Sequence, residues 1–429
     1  MKILTLTCWN HTIKYHLFLW KGAAVLAAGT VERVACGNSF LNQKTPDREL
    51  YLLETDNSDI HSAVALVIAT LTDPRHGVIS DASEIAAVGH RVAHGGEEFR
   101  CSQQIDDRSL CAMRELQHLA PLHGVANIAG IEAAMEFLPD IPHVAIFDTA
   151  FHLSMQEFAY LYPLPYEWYE NYGVRRYGFH GPSHLYISRR AAVLLDKPAS
   201  ACNLITVHLD RGVSLCAIKN GLSIDTSMGM TPLAGGIMDT RCGDIDPGIH
   251  AYMMQEMGLS NQEIDQVLMH KSGILGITGR RLGRQRFLKA SLDGSPRCKL
   301  ALEMEAYRIR KYIGSYLAII GPLDGVVFTS GAGAMEWVVR EMVLKGLESF
   351  GMRFNRDRNR AIAFGQEEVE ITDEGSSTRI FVIPTNEELV YVEDVAAIHS
   401  GIYSDHHRHD YTFARPGFVP FKSQCGLED

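Results

Sequence analysis

One pattern occurs twice in this chain, and that repetition limits its fold more than any other feature. Ile3–Thr7 and Ile13–Trp20 have the apolar, β-branched texture of strands, and Lys21-Gly22 marks a turn before a third strand, Ala23–Ala28. About two hundred residues later the meander returns. Leu204–Leu209, a turn at Asp210-Arg211-Gly212, Val213–Ile218, the hairpin dipeptide Asn220-Gly221 and Leu222–Asp225 follow in the same order. An internal duplication, each half opening with a strand, a polar turn and a returning strand, explains both copies; chance likeness of two meanders is the alternative.

The length of 429 residues allows two or three domains with substantial cores. With 46% hydrophobic and 21% charged residues, the chain reads as globular, not disordered or fibrous. Its 51 acids against 40 bases leave a formal charge of −11, which offers no basic footprint for a nucleic-acid backbone, so nucleic acid is not expected as a partner. Nine cysteines without a Cys-x-x-Cys pair read as reduced thiols, which points to the cytoplasm. The apolar run from Met1 to Leu6 is soon broken by Asn10, His11 and Lys14, too early for a signal-peptide core. No later run reaches the roughly 18 apolar residues of a membrane span, so no membrane is expected either.

Leu302, Ala306, Ile309, Ile313, Tyr316, Leu317 and Ile320 fall on one helical face, stopped by Gly321-Pro322. A strand, Val326–Thr329, then runs into Ser330-Gly331-Ala332-Gly333 and a helical stretch from Met335, a turn whose amides suit an anion. It lacks the third glycine of a dinucleotide fingerprint, and no Gly-x-x-x-x-Gly-Lys-Ser/Thr loop occurs, so Rossmann and P-loop folds lose support. The tract Asp405-His406-His407-Arg408-His409-Asp410 has no regular ligand spacing and reads as a solvated extension before a metal site.

Four segments set polar residues among glycines: Gly89–Gly96, Phe147–His152, Arg175–His184, and Thr231-Pro232 with Asp239–Pro247. Each has an ordinary account alone, as a surface ion pair, a helix cap, a core histidine or a turn. Together they supply arginines, histidines and an isolated acid beside flexible backbone, a set that suits anions. Phosphoryl transfer needs such positioned cations more than it needs covalent catalysis.

At this point the sequence resembles the acetate kinases. His94-Gly95-Gly96 with Arg91, Phe147-Asp148-Thr149-Ala150-Phe151-His152, Arg175-Arg176-Tyr177-Gly178-Phe179-His180-Gly181, Met228-Gly229-Met230-Thr231-Pro232, Gly243-Asp244-Ile245-Asp246-Pro247 and Pro384-Thr385-Asn386-Glu387-Glu388-Leu389 match that family in order and spacing over residues 1 to 399. The resemblance implies an α/β, duplicated actin-like (ribonuclease H-like) fold with an interdomain catalytic cleft. Residues 1–150 with 385–399 would form one domain, 151–384 the second, and 400–429 an extension of unknown role outside the resemblance.

The activity so implied is a phosphotransferase with a carboxyl acceptor, converting ATP and acetate or propionate to ADP and acyl phosphate in a homodimer. Arg91 and Arg241 would hold the carboxylate and the moving phosphoryl group, His180 would stabilise the transition state, and Asp148 is the family's essential acid. Acetate is already ionised at neutral pH, so Asp148 need not act as a base; orienting Arg91 or a metal-bound water suits it better. Glu387 matches the magnesium-linked glutamate for Mg²⁺ (or Mn²⁺), and is equally a favourable acid in the first turn of a helix. Thr7 stands where the family has a metal-linked asparagine. The acceptor pocket would be Arg91, Ala93, Leu122, Phe179 and Pro232. Alanine where many relatives carry valine enlarges it by about two methyl groups, with discrimination between acetate and propionate of only about 1–3 kcal/mol.

The nucleotide loops depart from the family. Of Asn-x-Gly-Ser-Ser-Ser-x-Lys only Lys14 remains, and Trp9 occupies the phosphate turn. His-Leu-Gly-Asn-Gly has become His208-Leu209-Asp210-Arg211-Gly212, where Asp210 repels phosphate and Arg211 attracts it. Gly283-Arg284-Gln285 replaces an Asp-Phe-Arg that cradles adenosine, and Gly331-Ala332-Gly333 replaces the rest of the adenosine loop. Three outcomes are open: an ATP-dependent kinase, the same chemistry with another donor such as pyrophosphate, or an inactive acyl-phosphate-binding relative.

Overall fold

The computed structural model describes residues 1–419 except 23, 47, 121–122, 330–334 and 363–367. It divides into two units, Met1–Phe151 with Asn386–Asp429, and His152–Thr385.

The first unit holds β1 (Lys2–Trp9), β2 (Thr12–Leu19), β3 (Ala24–Glu32), β4 (Ser39–Lys44), β5 (Tyr51–Thr55), β6 (Ile85–Val92), β7 (Gln103–Gln104) and β8 (His143–Phe147). They form one mixed sheet in the order β5-β4-β3-β2-β1-β6-β8-β7. Side chains alternate across β1, so the even residues Leu4 and Leu6 join Ile13, Tyr15, Val64, Val67 and Ala134 in one core. Ile3 faces the other way, against Val144 and Ile146 of β8 and Tyr391, Val392 and Val395 of the helix Glu387–His399. Gly89 in β6 permits that helix to sit close, because a Cβ there would lie 2.7 Å from Val395 Cγ2. Thr5 and Thr7 share this face, which is how β1 reaches the acids at the start of the helix.

The second unit contains β9 (Leu204–Leu209), β10 (Val213–Lys219), β11 (Leu222–Thr226), β12 (Gly325–Phe328), β13 (Val369–Glu370) and β14 (Arg379–Val382), ordered β11-β10-β9-β12-β14-β13. Its core brings Ile205, Val207, Leu215 and Val326 together with Leu302, Ala306, Ile309, Ile313, Tyr316 and Ile320 of the helix Pro296–Ile320. That helix ends at Gly321, whose φ of 87° needs a glycine.

The duplication is visible in the pairing. In each sheet an antiparallel three-strand meander (β3-β2-β1; β11-β10-β9) leads to two parallel strands (β6 and β8; β12 and β14) and an antiparallel edge strand (β7; β13). Chance would not reproduce order, direction and edge together, so the fold is the duplicated α/β architecture. The eight described cysteines are free, and no described helix is long and apolar enough to cross a membrane.

Candidate functional site

In the first unit, parallel pairing sets Arg91, near the end of β6, beside Thr7 of β1. Asp148 follows β8, its backbone N–H donating to Val92 O at 3.0 Å. The two side chains form a bidentate pair, Arg91 Nε to Asp148 Oδ1 at 2.9 Å and Nη2 to Oδ2 at 2.5 Å. Burial works against a charged Arg91, but the adjoining Asp148 carboxylate outweighs it and holds the guanidinium firmly charged. The Trp9 ring lies 5.6 Å from the guanidinium carbon. Where an open phosphate loop is usual, Trp9 pairs with Thr12 and leaves a two-residue turn, Asn10-His11.

Glu387 opens the helix Glu387–His399, capped by Asn386, whose Oδ1 accepts from Leu389 N–H at 3.0 Å. Tyr391 O–H donates to Glu387 Oε2 at 3.3 Å. Burial raises the Glu387 carboxyl to about 7; Arg91 pulls it back, and Asp148 pushes it further up. Its neighbour Glu388 behaves oppositely. Burial favours its neutral form, but His16, Lys14 and the Thr5 hydroxyl outweigh this and take it down to about 2. Lys14, expected at a nucleotide, thus lies 4.0 Å from a carboxylate oxygen of Glu388.

In the second unit, His180 precedes the helix Gly181–Leu194 and adopts a left-handed φ of 59°, costly for a residue other than glycine and typical of positions held for function. Its Nδ1 lies 2.9 Å from Ser214 Oγ, and its ring sits 4.2 Å from that of His208 between centroids. The His208-to-Gly212 turn joins β9 to β10. A Cβ on Gly212 would lie 2.7 Å from Arg241 Nη2 and 2.9 Å from His180 Cε1, so glycine is what allows these two side chains and the turn to converge. Arg241 Nη1 donates to Pro232 O at 2.8 Å. Among the described residues it has no ion pair, and burial lowers its pKa to about 10 against the pull of Asp239. A desolvated guanidinium bonded to a carbonyl rather than a carboxylate has the chemistry to receive an anion.

The remaining expected residues are divided. Ala93 is buried in the first unit, its N–H donating to Asn127 Oδ1 at 2.9 Å. Phe179 is buried in the second unit's core, and Pro232 there supplies the carbonyl under Arg241. Leu122, Gly331, Ala332 and Gly333 lie outside the described residues. His208 Nδ1 lies 2.8 Å from Ser183 Oγ; Asp210 N–H bridges its turn to Gly212 O at 3.2 Å, and Arg211 is exposed. Gly283 caps the helix Arg284–Leu292, with Gln285 exposed on it.

Arg284 requires a correction. Expected at the nucleotide, it makes four hydrogen bonds of 2.7–3.1 Å to Glu305 and Glu336, two carboxylates that are themselves buried. A guanidinium so engaged ties three helical segments together and is not offered to a ligand. Asn127, Tyr391 and Ser214 had no place in the sequence reading. A buried Asn in the apolar helix Gly124–Phe137 was a usable signal for the first, since its Nδ2–H donates to Cys8 O at 2.7 Å while its oxygen holds Ala93.

Comparison with known proteins follows the same lines. Residues 2–393 match the Acetokinase family. An acetate kinase of Geobacter sulfurreducens is 56% identical over 419 residues, covering 98% of this chain and all of that protein. That alignment extends past residue 399, so part of the segment expected to be a family-external extension falls inside it. The crystal structure of Porphyromonas gingivalis acetate kinase superposes with a TM-score of 0.87 at 39% identity, covering 92% of this chain and 99% of that one. A propionate kinase from Francisella tularensis superposes with a TM-score of 0.84 at 35% identity, covering 91% and 97%. The chain belongs to the acetokinase family.

Proposed function

We propose that this chain transfers the γ-phosphoryl group of ATP to the carboxylate of acetate or propionate, working in the cytosol as a homodimer. One observation carries the reading: Arg241 is a desolvated guanidinium with no carboxylate partner among the described residues, placed with His180 against the Gly212 turn, while Asp148 holds Arg91 charged and aimed. The nucleophile arrives ionised, so no residue has to remove a proton, and the bidentate bond commits Asp148 to aiming Arg91. Arg91 then presents its remaining donors to the carboxylate and the moving group. Arg241 and His180 meet the charge that spreads over the phosphoryl oxygens in the transition state.

A divalent cation suits Glu387. Glu387 and Asp148 both act on the Arg91 guanidinium, and the Glu387 carboxyl is raised chiefly by burial, with Asp148 pushing the same way against the pull of Arg91. Carboxylate oxygens, with Thr7 beside Arg91 in the strand register, suit Mg²⁺, which keeps several waters and needs few protein ligands. No described cluster reaches three His, Cys, Asp or Glu groups. When bound, the ion would neutralise phosphate charge.

Engagement of Arg284 by two carboxylates favours a second reading, in which the acceptor chemistry stands and the donor carries no adenosine. Acyl phosphate trapped as hydroxamate, with acetate and propionate against ATP, GTP and pyrophosphate, separates the two. Formation with ATP supports the first and with pyrophosphate alone the second; no acyl phosphate from any donor refutes both.

A further inference from the structure

A hydrogen-bonded chain runs behind His180. Its Nδ1 lies 2.9 Å from Ser214 Oγ, the same oxygen lies 2.9 Å from His184 Nε2, and His184 Nδ1 lies 2.8 Å from Thr206 Oγ1. Ser214, His184 and Thr206 are each fully buried. The secondary structure builds the chain: His180 and His184 are one helical turn apart, and register places Ser214 opposite His208 and Thr206 opposite Cys216, on one face of the β9/β10 pair.

Proton counting fixes how such a chain can run. Ser214 has one hydroxyl proton and two imidazole neighbours, so between them it donates to one ring and accepts from the other. His184 is neutral, because burial pushes its pKa well below the ordinary value and His152 and His208 push the same way. With that single proton on Nε2, His184 donates to Ser214, Ser214 donates to His180 Nδ1, and neutral His180 carries its own proton on Nε2. The Thr206 hydroxyl closes the chain by donating to His184 Nδ1. When His180 is doubly protonated every bond reverses, and Nε2 still carries a proton. Reversal with a neutral His180 would turn an Nε2 lone pair toward an incoming anion, which repels it. Nε2 is the atom 3.2 Å from a Cβ placed on Gly212, the point that Arg241 Nη2 also approaches.

We propose that Ser214 is a positioning residue: backed by His184 and Thr206, it holds His180 in the Nε2–H form, so that the ring donates a hydrogen bond on the Arg241 side of the Gly212 turn. The direction chosen for the chain and its consequence for rate both rest on the role given to His180 under the proposed function; the hydrogen-bonded chain itself does not.

Long-range ¹H–¹⁵N correlation spectra of the full-length ¹⁵N-labelled protein read the tautomer, with His180 signals assigned by their loss in His180→Ala. The wild type should show a protonated Nε2 and an unprotonated Nδ1 above the imidazole pKa. Ser214→Ala should mix the two forms, lower kcat about ten- to a hundredfold with little change in KM for acetate, and displace the pH profile of kcat. Ser214→Thr, which keeps the hydroxyl, should restore the ring pattern. In a His180→Ala background, Ser214→Ala should cost nothing further, since both act through one ring. Thr206→Val, nearly isosteric, stands in if Ser214→Ala does not fold; it should perturb the His184 signals and lower kcat several-fold. An unchanged ring pattern in the folded variant overturns the proposal. If His180→Ala keeps the wild-type kcat, the role of His180 fails and the catalytic half of the inference with it, while the ring spectra still decide the tautomer.

Discussion

Asp148→Asn tests how the first unit aims its guanidinium. The carboxylate accepts two hydrogen bonds from Arg91, at 2.9 and 2.5 Å, with side-chain exposures of 4% for the acid and 17% for the arginine. Asparagine keeps the shape and one acceptor, but its amide N–H₂ meets a guanidinium donor where the second acceptor stood. Each charge-assisted bond is worth about 1.5–3 kcal/mol, and removing one partner of a buried pair costs about 3–5 kcal/mol. Glu387 remains near Arg91 and restores part of the charge balance, so the lower end, about 3 kcal/mol, applies. Because aiming matters most where charge is moving, that energy should appear in the transition state, as a fall in kcat of about a hundredfold. KM for acetate should rise less, since a misaimed cation still attracts a carboxylate. Initial hydroxamate rates at saturating donor, with circular dichroism to confirm folding, measure both quantities. An Asp148→Asn enzyme within about threefold of the wild-type kcat would refute the claim that this carboxylate aims Arg91.

Gly212→Ala puts a methyl group 2.7 Å from Arg241 Nη2 and 2.9 Å from His180 Cε1; kcat should fall at least about tenfold with nearly unchanged thermal stability, and wild-type rates would count against the convergence at this turn. Glu387 has a folded-state pKa of about 7 against an ordinary 4.5. Its carboxyl therefore costs nothing below pH 4.5, destabilises increasingly from there to pH 7 as only the unfolded chain ionises, and above pH 7 costs up to about 3 kcal/mol. In EDTA, Glu387→Gln should raise the urea midpoint more at pH 8 than at pH 5, and an equal shift at both would sink the assignment. Arg284→Met leaves Glu305 and Glu336 buried without their cation, so urea unfolding should show a loss of about 3–5 kcal/mol, whereas a near-neutral result would mean the triad is not structural.

The fold was legible where local chemistry and tertiary structure agree. Both meanders fall within about two residues of their expected limits, except that β3 runs to Glu32 where Ala28 was expected, because alternation, β-branching and the Asn220-Gly221 hairpin are all local signals. The helix Pro296–Ile320 was equally plain, since six of the seven residues assigned to one face are buried, all but Leu317. Strands β4 and β5 gave little warning. β5 alternates half-buried and exposed residues without a fully buried position, so no apolar stripe marks it. β7 and β13 are two-residue edges whose pairing is set wholly by β8 and β14.

Site chemistry was legible in type but not in allegiance, and two arginines show why. Arg241 and Arg284 both stand in glycine-rich surroundings, and on sequence each is a candidate anion receptor. What separates them is the presence of buried acids, and for Arg284 these come from 21 and 52 residues away, at Glu305 and Glu336. No local pattern announces that a cation will be neutralised by side chains so distant. Once the chain is folded the two cases part in sign: Arg284 is driven further toward its charged form by its carboxylates, while Arg241, bonded to a carbonyl, is pushed down by burial against the pull of Asp239. A guanidinium whose donors the fold takes up, as two carboxylates do with Nε, Nη1 and Nη2 of Arg284, is structural, and one that keeps donors for an outside anion, as Arg91 does beside Asp148 and Arg241 does beside a carbonyl, is open to function. By that criterion Arg241 is the second unit's candidate for the phosphoryl-binding cation, and replacing it with Met should abolish acyl phosphate formation without the loss of stability expected of Arg284→Met.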